Sequence, residues 1–278
     1  MTGRARRPGP SVRVQVTELS DDATYPERRR EDRVITEEPL EIRLAWPGRP
    51  AERVWVTMRT PGNDFDLAAG WVVHEGLAPA HEGITAVAYC TDVSLSAEQE
   101  FNVVTVTLAA PPPTLPHQHQ ARAAGSSACG VCGRDTVATA LQGLAGRWPG
   151  AVLAPDVVRR LPDALRGEQG LFDRTGGVHA AGLTTADGEI LVVREDVGRH
   201  NAVDKVTGSR VLGGLAPAEA GLVVSGRAGY ELVQKALAAG IGSLVAVGAP
   251  TSLAVALAGE GGLGLYGFVS SSRAVRYS

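Results

Sequence analysis

From Leu40 the chain alternates with period two. Leu40, Ile42 and Leu44 are separated by the charged Glu41 and Arg43, and after Pro47-Gly48-Arg49-Pro50 the residues Val54, Val56 and Met58 alternate again. Alternation on either side of a turn predicts a β-hairpin, with one face of each strand buried. Thr60-Pro61-Gly62-Asn63-Asp64 then supplies N-cap residues for a helix running to about Glu75, with Gly76 as its stop. Two more strand-like runs follow, near Ile84–Cys90 and Phe101–Leu108, before Pro111-Pro112-Pro113 breaks the pattern. The reading is a smaller α+β domain over 34–115. The residues before it, 1–33, mix Arg, Pro, Asp and Glu without an evident period and read as a disordered tail.

Past the prolines the rhythm changes. Short apolar runs at Ile190–Val193, Leu222–Val224, Leu244–Val247 and Leu263–Val269 alternate with helical patterns at Asn201–Leu212, Tyr230–Ala239 and Ser252–Ala258. Strands alternating with helices predict an α/β domain over 116–278, with a mostly parallel sheet covered on both faces.

Composition narrows the class. The chain has 278 residues, 44% of them hydrophobic, and a formal net charge of −3, so no global field draws it to nucleic acid or membrane. No apolar run reaches the roughly 18 residues of a membrane span. Met1 to Arg13 is arginine-rich without the apolar stretch of an export signal, which together with only three cysteines places the chain in the cytoplasm.

Two of those cysteines stand in Cys129-Gly130-Val131-Cys132-Gly133. Flanking glycines leave both sulfurs uncrowded, and three chemistries fit a pair at this spacing. A closed zinc site needs four ligands, and beyond the pair only Cys90 and His179 are at hand. A zinc deaminase would need a glutamate where Ala181 stands. A thioredoxin-type disulfide fits a helix expected near Arg134, whose N-terminus would favour thiolate, but the preceding Gly125-Ser126-Ser127-Ala128 is not a buried strand. A sulfur relay needs a nucleophilic thiol beside a second one on a flexible segment, and the local residues suit that as well.

Other clusters follow predicted strands. Arg194-Glu195-Asp196-Val197-Gly198-Arg199-His200-Asn201-Ala202-Val203-Asp204-Lys205 packs acids, bases and a histidine at a strand's carboxyl end, where open α/β sheets place ligands. Ser225-Gly226-Arg227 links a strand to a helix and could present amides and a guanidinium to phosphate. Thr175-Gly176-Gly177-Val178-His179 reads as a glycine-bracketed turn. Phe268-Val269-Ser270-Ser271-Ser272-Arg273 joins a strand end to hydroxyls and an arginine.

Taken in order, these motifs resemble the FdhD/NarQ family of formate dehydrogenase accessory sulfurtransferases over roughly Val34 to Tyr277. The resemblance rests on Glu37-Glu38-Pro39-Leu40, on Thr60-Pro61-Gly62-Asn63-Asp64 with Gly70 and Glu75-Gly76, and on the Cys129–Gly133 segment. Gly177 to Ala181, Glu195 to Lys205 and Ser225-Gly226-Arg227 continue it. The resemblance implies a cytidine deaminase-like core without deaminase chemistry, and a homodimer. It implies that Cys129 takes sulfur from a cysteine desulfurase as a persulfide, with Cys132 assisting. It further implies delivery to the bis-guanine-dinucleotide molybdenum cofactor (Mo-bis-MGD) before insertion into formate dehydrogenase, with no permanently bound metal. Phe268, Val269, Ser270, Ser271, Ser272 and Arg273 fall on the family's cofactor-binding segment. Arg227, His200, Asp204 and Lys205, with Asp196, are the expected partners around it. Two departures stand out: the C-terminal segment carries no basic residue before Arg273, and Val178 stands where some members have a cysteine before the histidine. A cofactor-binding chaperone and a thiol–disulfide oxidoreductase are the competing functions.

Overall fold

The protein is described by a computed structural model over residues 7–21, 26–78, 81–91, 100–113 and 150–278. Cys129, Cys132 and the helix expected near Arg134 lie outside the described residues.

Leu40, Ile42 and Leu44 are fully buried on β3 (Glu38–Trp46), which pairs antiparallel with β4 (Arg49–Arg59) across a turn where Gly48 has φ 82°. β6 (Val103–Leu108) adds parallel to β3, and β5 (Ile84–Tyr89) antiparallel to β6, giving the order β4-β3-β6-β5. The buried face is capped by α1 (Asp64–His74), whose Leu67, Ala68, Trp71 and Val72 complete the core. Trp71 stacks on Trp55 with ring centroids 5.2 Å apart. Asp64 and Asp66 in the first turn of α1 suit its positive end.

The second unit opens with α2 (Pro155–Gly167) and the short α3 (Gly170–Thr175). Then come β7 (His179–Thr184), β8 (Ile190–Asp196), α4 (Arg199–Leu212), β9 (Gly221–Val224), α5 (Tyr230–Ala238) and β10 (Ser243–Ala246). α6 (Ser252–Gly261), β11 (Gly264–Ser270) and β12 (Arg273–Arg276) end the chain. The sheet order is β12-β11-β10-β9-β7-β8. Leu183, Leu222, Leu244 and Leu265 pack on the side of α4, α5 and α6, whereas Val223, Val245 and Tyr266 pack on α2. The unit is therefore an α/β/α sandwich.

Two expectations are corrected. The sheet is mixed rather than mostly parallel: only β9, β10 and β11 run parallel, because a helix crosses over between each of them. β7–β8 and β11–β12 are antiparallel hairpins, joined by turns too short for a crossover. Part of the expected tail is also ordered. β1 (Ser11–Leu19) and β2 (Glu27–Ile35) form a nine-pair antiparallel ribbon. Val12, Val14 and Val16 do alternate there, but the charged residues between them belong to cross-strand ion pairs such as Arg13–Glu31 and Arg30–Glu18.

The two units meet along α1 and α4. A Cβ on Gly70 would run into the Asp204 carbonyl, and one on Gly208 into that of Asp66, so the helix backbones cross in direct contact. Only glycine at both positions permits this approach.

Candidate functional site

The strand directions gather the candidate residues on one edge of the mixed sheet. β8, β9, β10 and β11 all end there, and β7 begins there with His179 opposite Asp196. From the same edge start α4, α5 and α6, so the positive ends of three helices converge. The first turns of α4 and α6 contain no acidic residue to neutralise them.

Tight loop packing shapes the edge. A Cβ on Gly248 would sit 3.0 Å from Cγ of Arg227, and one on Gly267 2.8 Å from Cδ of Pro250. The backbone N–H of Phe268 donates to the Gly248 carbonyl at 3.1 Å, tying the loops after β10 and β11 together. Phe268 adopts φ 51°, a region costly for a bulky residue, and holds its ring 45% exposed. The Arg273 guanidinium lies over that ring at 5.6 Å, a cation–π contact. Ser270, Ser271 and Ser272 are exposed in the tight turn, with Ser270 and Ser272 hydroxyls 3.4 Å apart. Val269 is 2% exposed and points into the α2 side of the core, so its side chain offers nothing to a ligand.

On the other side of the edge, the Ser225 hydroxyl accepts from the Ala180 N–H at 2.9 Å, fixing the β9 loop to the start of β7. A Cβ on Gly226 would lie 3.4 Å from His179 Nδ1, so the imidazole sits directly beside this loop. Partial burial, with Arg199 and His200 nearby, holds the His179 imidazole below its ordinary value and hence neutral at pH 7. His200 Nε2 stands 2.5 Å from Glu231 at the start of α5. Arg199, Arg227 and Arg273 have no carboxylate partner among the described residues, whereas Arg59, Arg194 and Arg210 are all paired.

Asp204 and Lys205, expected around the cofactor, are buried in the structure. They lie on the α4 face covered by the first unit, 0% and 1% exposed. The Lys205 ammonium reaches Asp196 at 2.6 Å and donates to the Thr60 carbonyl at 2.9 Å, and the Thr60 N–H donates back to Asp196 at 3.1 Å. Asp196 also accepts from Asn201, which donates in turn to the Met58 carbonyl at 2.7 Å. Asp204 receives His74 Nδ1 at 2.6 Å and Lys235 at 2.7 Å. These groups join the two units.

Glu195 is likewise structural, accepting the Leu171 and Phe172 N–H groups at the start of α3 at 2.7 and 2.8 Å. A surface groove of about 360 Å³ lined by Ile84, Thr85, Val87, Val211 and Leu212 lies at the opposite end of α4 and contains no titratable side chain. Among the described residues no three His, Cys, Asp or Glu side chains converge as a metal site. The sequence gives Arg199 no role of its own within the charged run 194–205, and His179 reads there as part of a glycine-bracketed turn or as a ligand at hand for zinc. The signal available was their position immediately beside strand ends.

Fold and edge together define an α/β protein with a cationic strand-end surface fed by three helix N-termini. The chain belongs to the FdhD/NarQ family, whose model matches residues 35–278. It is 46% identical over 245 residues to the sulfur carrier protein FdhD of Streptomyces avermitilis, covering 86% of this chain and 85% of that one. The sulfur carrier protein FdhD of Nocardia farcinica is 45% identical over 259 residues, covering 91% and 88%. A crystal structure of a formate dehydrogenase accessory protein from Desulfotalea psychrophila shares the fold, with TM-score 0.71 at 22% identity and 96% coverage of both chains. No helix among the described residues is long and apolar enough to cross a membrane.

Proposed function

We propose that this chain is a cytoplasmic sulfur carrier in formate dehydrogenase maturation. The observation that carries the reading is the match to relatives named as sulfur carriers, at 46% identity over 86% of the chain. Cys129 is the carrier and Cys132 its assistant. The Cys129 thiolate attacks the terminal sulfur of a cysteine desulfurase persulfide, forming Cys129–S–SH and releasing the desulfurase thiolate. The terminal sulfur then leaves as hydrosulfide when the Cys132 thiolate attacks the inner sulfur. That step oxidises the two cysteine sulfurs to a Cys129–Cys132 disulfide, and the two electrons they give up reduce the outer sulfur to hydrosulfide.

The acceptor is the bis-guanine-dinucleotide molybdenum cofactor, bound here as a substrate and passed to the catalytic subunit of formate dehydrogenase. The strand-end edge suits such a polyanion. Arg227 and Arg273 are exposed and, among the described residues, unpaired with carboxylates, the serine turn offers hydroxyls, and the half-exposed ring of Phe268 suits a purine ring. A homodimer is the proposed assembly.

The test is mass spectrometry of the reduced protein after incubation with a cysteine desulfurase and L-cysteine. The peptide containing Cys129 should gain about 32 Da, removable by reductant and absent in Cys129→Ala. No adduct with a competent desulfurase would overturn the carrier reading and leave a cofactor-binding chaperone.

A further inference from the structure

The polar layer between the two units is held on both sides of the point where Gly70 of α1 meets the Asp204 carbonyl of α4. Before α1 starts, Lys205 reaches Asp196 at 2.6 Å and the Thr60 carbonyl at 2.9 Å. At the end of α1, Asp204 Oδ1 takes both His74 Nδ1, at 2.6 Å, and the ammonium of Lys235 on α5, at 2.7 Å. His74 is 2% exposed and Asp204 fully buried.

The two clusters differ in charge. Lys205 and Asp196 form one neutral pair, whereas at the far end Lys235 alone already neutralises Asp204. His74 therefore fits as a neutral ring. An ionised carboxylate only accepts, so His74 donates from Nδ1, and its Nε2 has no partner among the described residues. Protonation would set a second cation against one carboxylate and place an N–H where no acceptor lies. Of the other elements packed on α1, β5 and β6 carry no charged side chain, and the Tyr89 hydroxyl donates to Asp64 at the opposite end of the helix. Glu75, next in the chain, is only partly buried, and His200 and Glu231 pair with each other one turn nearer the starts of α4 and α5. Burial, with Lys235 beside it, holds the His74 imidazole below its ordinary value.

We propose that His74, Asp204 and Lys235 form an acid-sensitive latch, which frees the last turn of α1 from α4 and α5 while Lys205, Asp196 and Thr60 keep the two units joined. The open form takes up one proton that the closed form excludes. Each pH unit below about 6.5 therefore favours opening about tenfold, until the lowered value of the closed state is reached. Asp204 stays ionised across this range, because Lys235 and His74 hold it below the usual carboxylate range in spite of its burial. The latch goes beyond the carrier reading and involves neither Cys129 nor Cys132, so its failure and that of the carrier reading give different results.

The experiment is hydrogen–deuterium exchange of the full chain at about pH 6 and about pH 5, corrected for the intrinsic pH dependence of amide exchange. The amides of Glu75, Gly76 and Leu77 bond back into the last turn of α1 and should exchange about tenfold faster at the lower pH, while β9 and β10 are unchanged. His74→Gln keeps a donor for Asp204 but gains no proton, and should abolish the step. Lys235→Met should reverse it, because Asp204 then has only His74 to neutralise it and acid closes the latch. His200→Gln should leave the step intact. Circular dichroism shows which variants are folded, and His74→Gln and His200→Gln decide the matter if Lys235→Met is not. Absence of the step in the unaltered chain would overturn the proposal. So would a step that survives His74→Gln, spreads to β9 and β10, vanishes in His200→Gln or keeps its sign in a folded Lys235→Met.

Discussion

Lys205 and Asp196 are removed from water together, and each is held by the other and by Thr60. Lys205→Met would leave Asp196 buried with an uncompensated charge, an expected loss of about 3–5 kcal/mol, read from the urea midpoint. His74 gives a pH signature. Full burial pushes its imidazole below the ordinary value, even though Asp204 and Glu75 pull it up. The folded state therefore holds it neutral while the unfolded chain takes up a proton, and stability falls as pH drops below about 6.5. Asp204 acts in the same sense at lower pH: burial would raise it, but Lys235 and His74 hold it below the usual carboxylate range. Its contribution is lost as pH falls through its lowered value. His74→Gln should flatten the slope of stability against pH between 7 and 6, measured by urea titration at each pH. Which charged residues stand at the strand-end edge was only partly legible. Arg227 follows a short apolar strand and Phe268–Arg273 spans the end of another, so sequence alone points them at the strand-end edge. Asp204 and Lys205 share α4 with His200, but what covers their face is α1, whose His74 lies 130 residues earlier than Asp204. No local pattern reports that contact.

At the scale of elements, the crossing of α1 and α4 is the most demanding contact. Gly70→Ala or Gly208→Ala would drive a methyl into backbone, with an expected cost of at least about 3 kcal/mol in thermal or urea unfolding. Gly259 gives the opposite result. It sits inside α6 with open space around it, so Gly259→Ala should stabilise by up to about 1 kcal/mol in the same assay. Most elements were legible because their patterns are local: β3 and β4 by alternation, and the β9-α5-β10-α6-β11 series by alternating apolar runs and helices. The unread ones have physical reasons. In β1 and β2 alternation is hidden among ion-paired arginines and acids. In α2, Pro155 and Pro162 look like breakers, yet Pro155 starts the helix, where a missing N–H costs nothing, and Val158, Leu161 and Leu165 form its buried stripe. β7 was hidden because Gly177 and the His179 beside it mimic a turn.

At the scale of the molecule, the shared polar layer makes the second unit dependent on the first. Residues 150–278 expressed alone would expose Lys205, Asp196 and the glycine face of α4, and should show no cooperative melting transition by circular dichroism. Removing residues 1–34 should change stability by less than about 1 kcal/mol, because a two-stranded ribbon contributes little on its own and the family match begins at residue 35. The α1–α4 crossing also sets a timetable for biosynthesis. The first unit is complete as soon as β6 leaves the ribosome, but the helix that covers its outer face is still untranslated. The partners His74 and Asp204 are 130 residues apart, so at elongation rates of about 5–20 residues per second α1 waits on the order of ten seconds for its cover. During that interval its glycine groove and the His74 face are open to solvent, and nascent chains of this protein are most exposed to chaperones and proteases then.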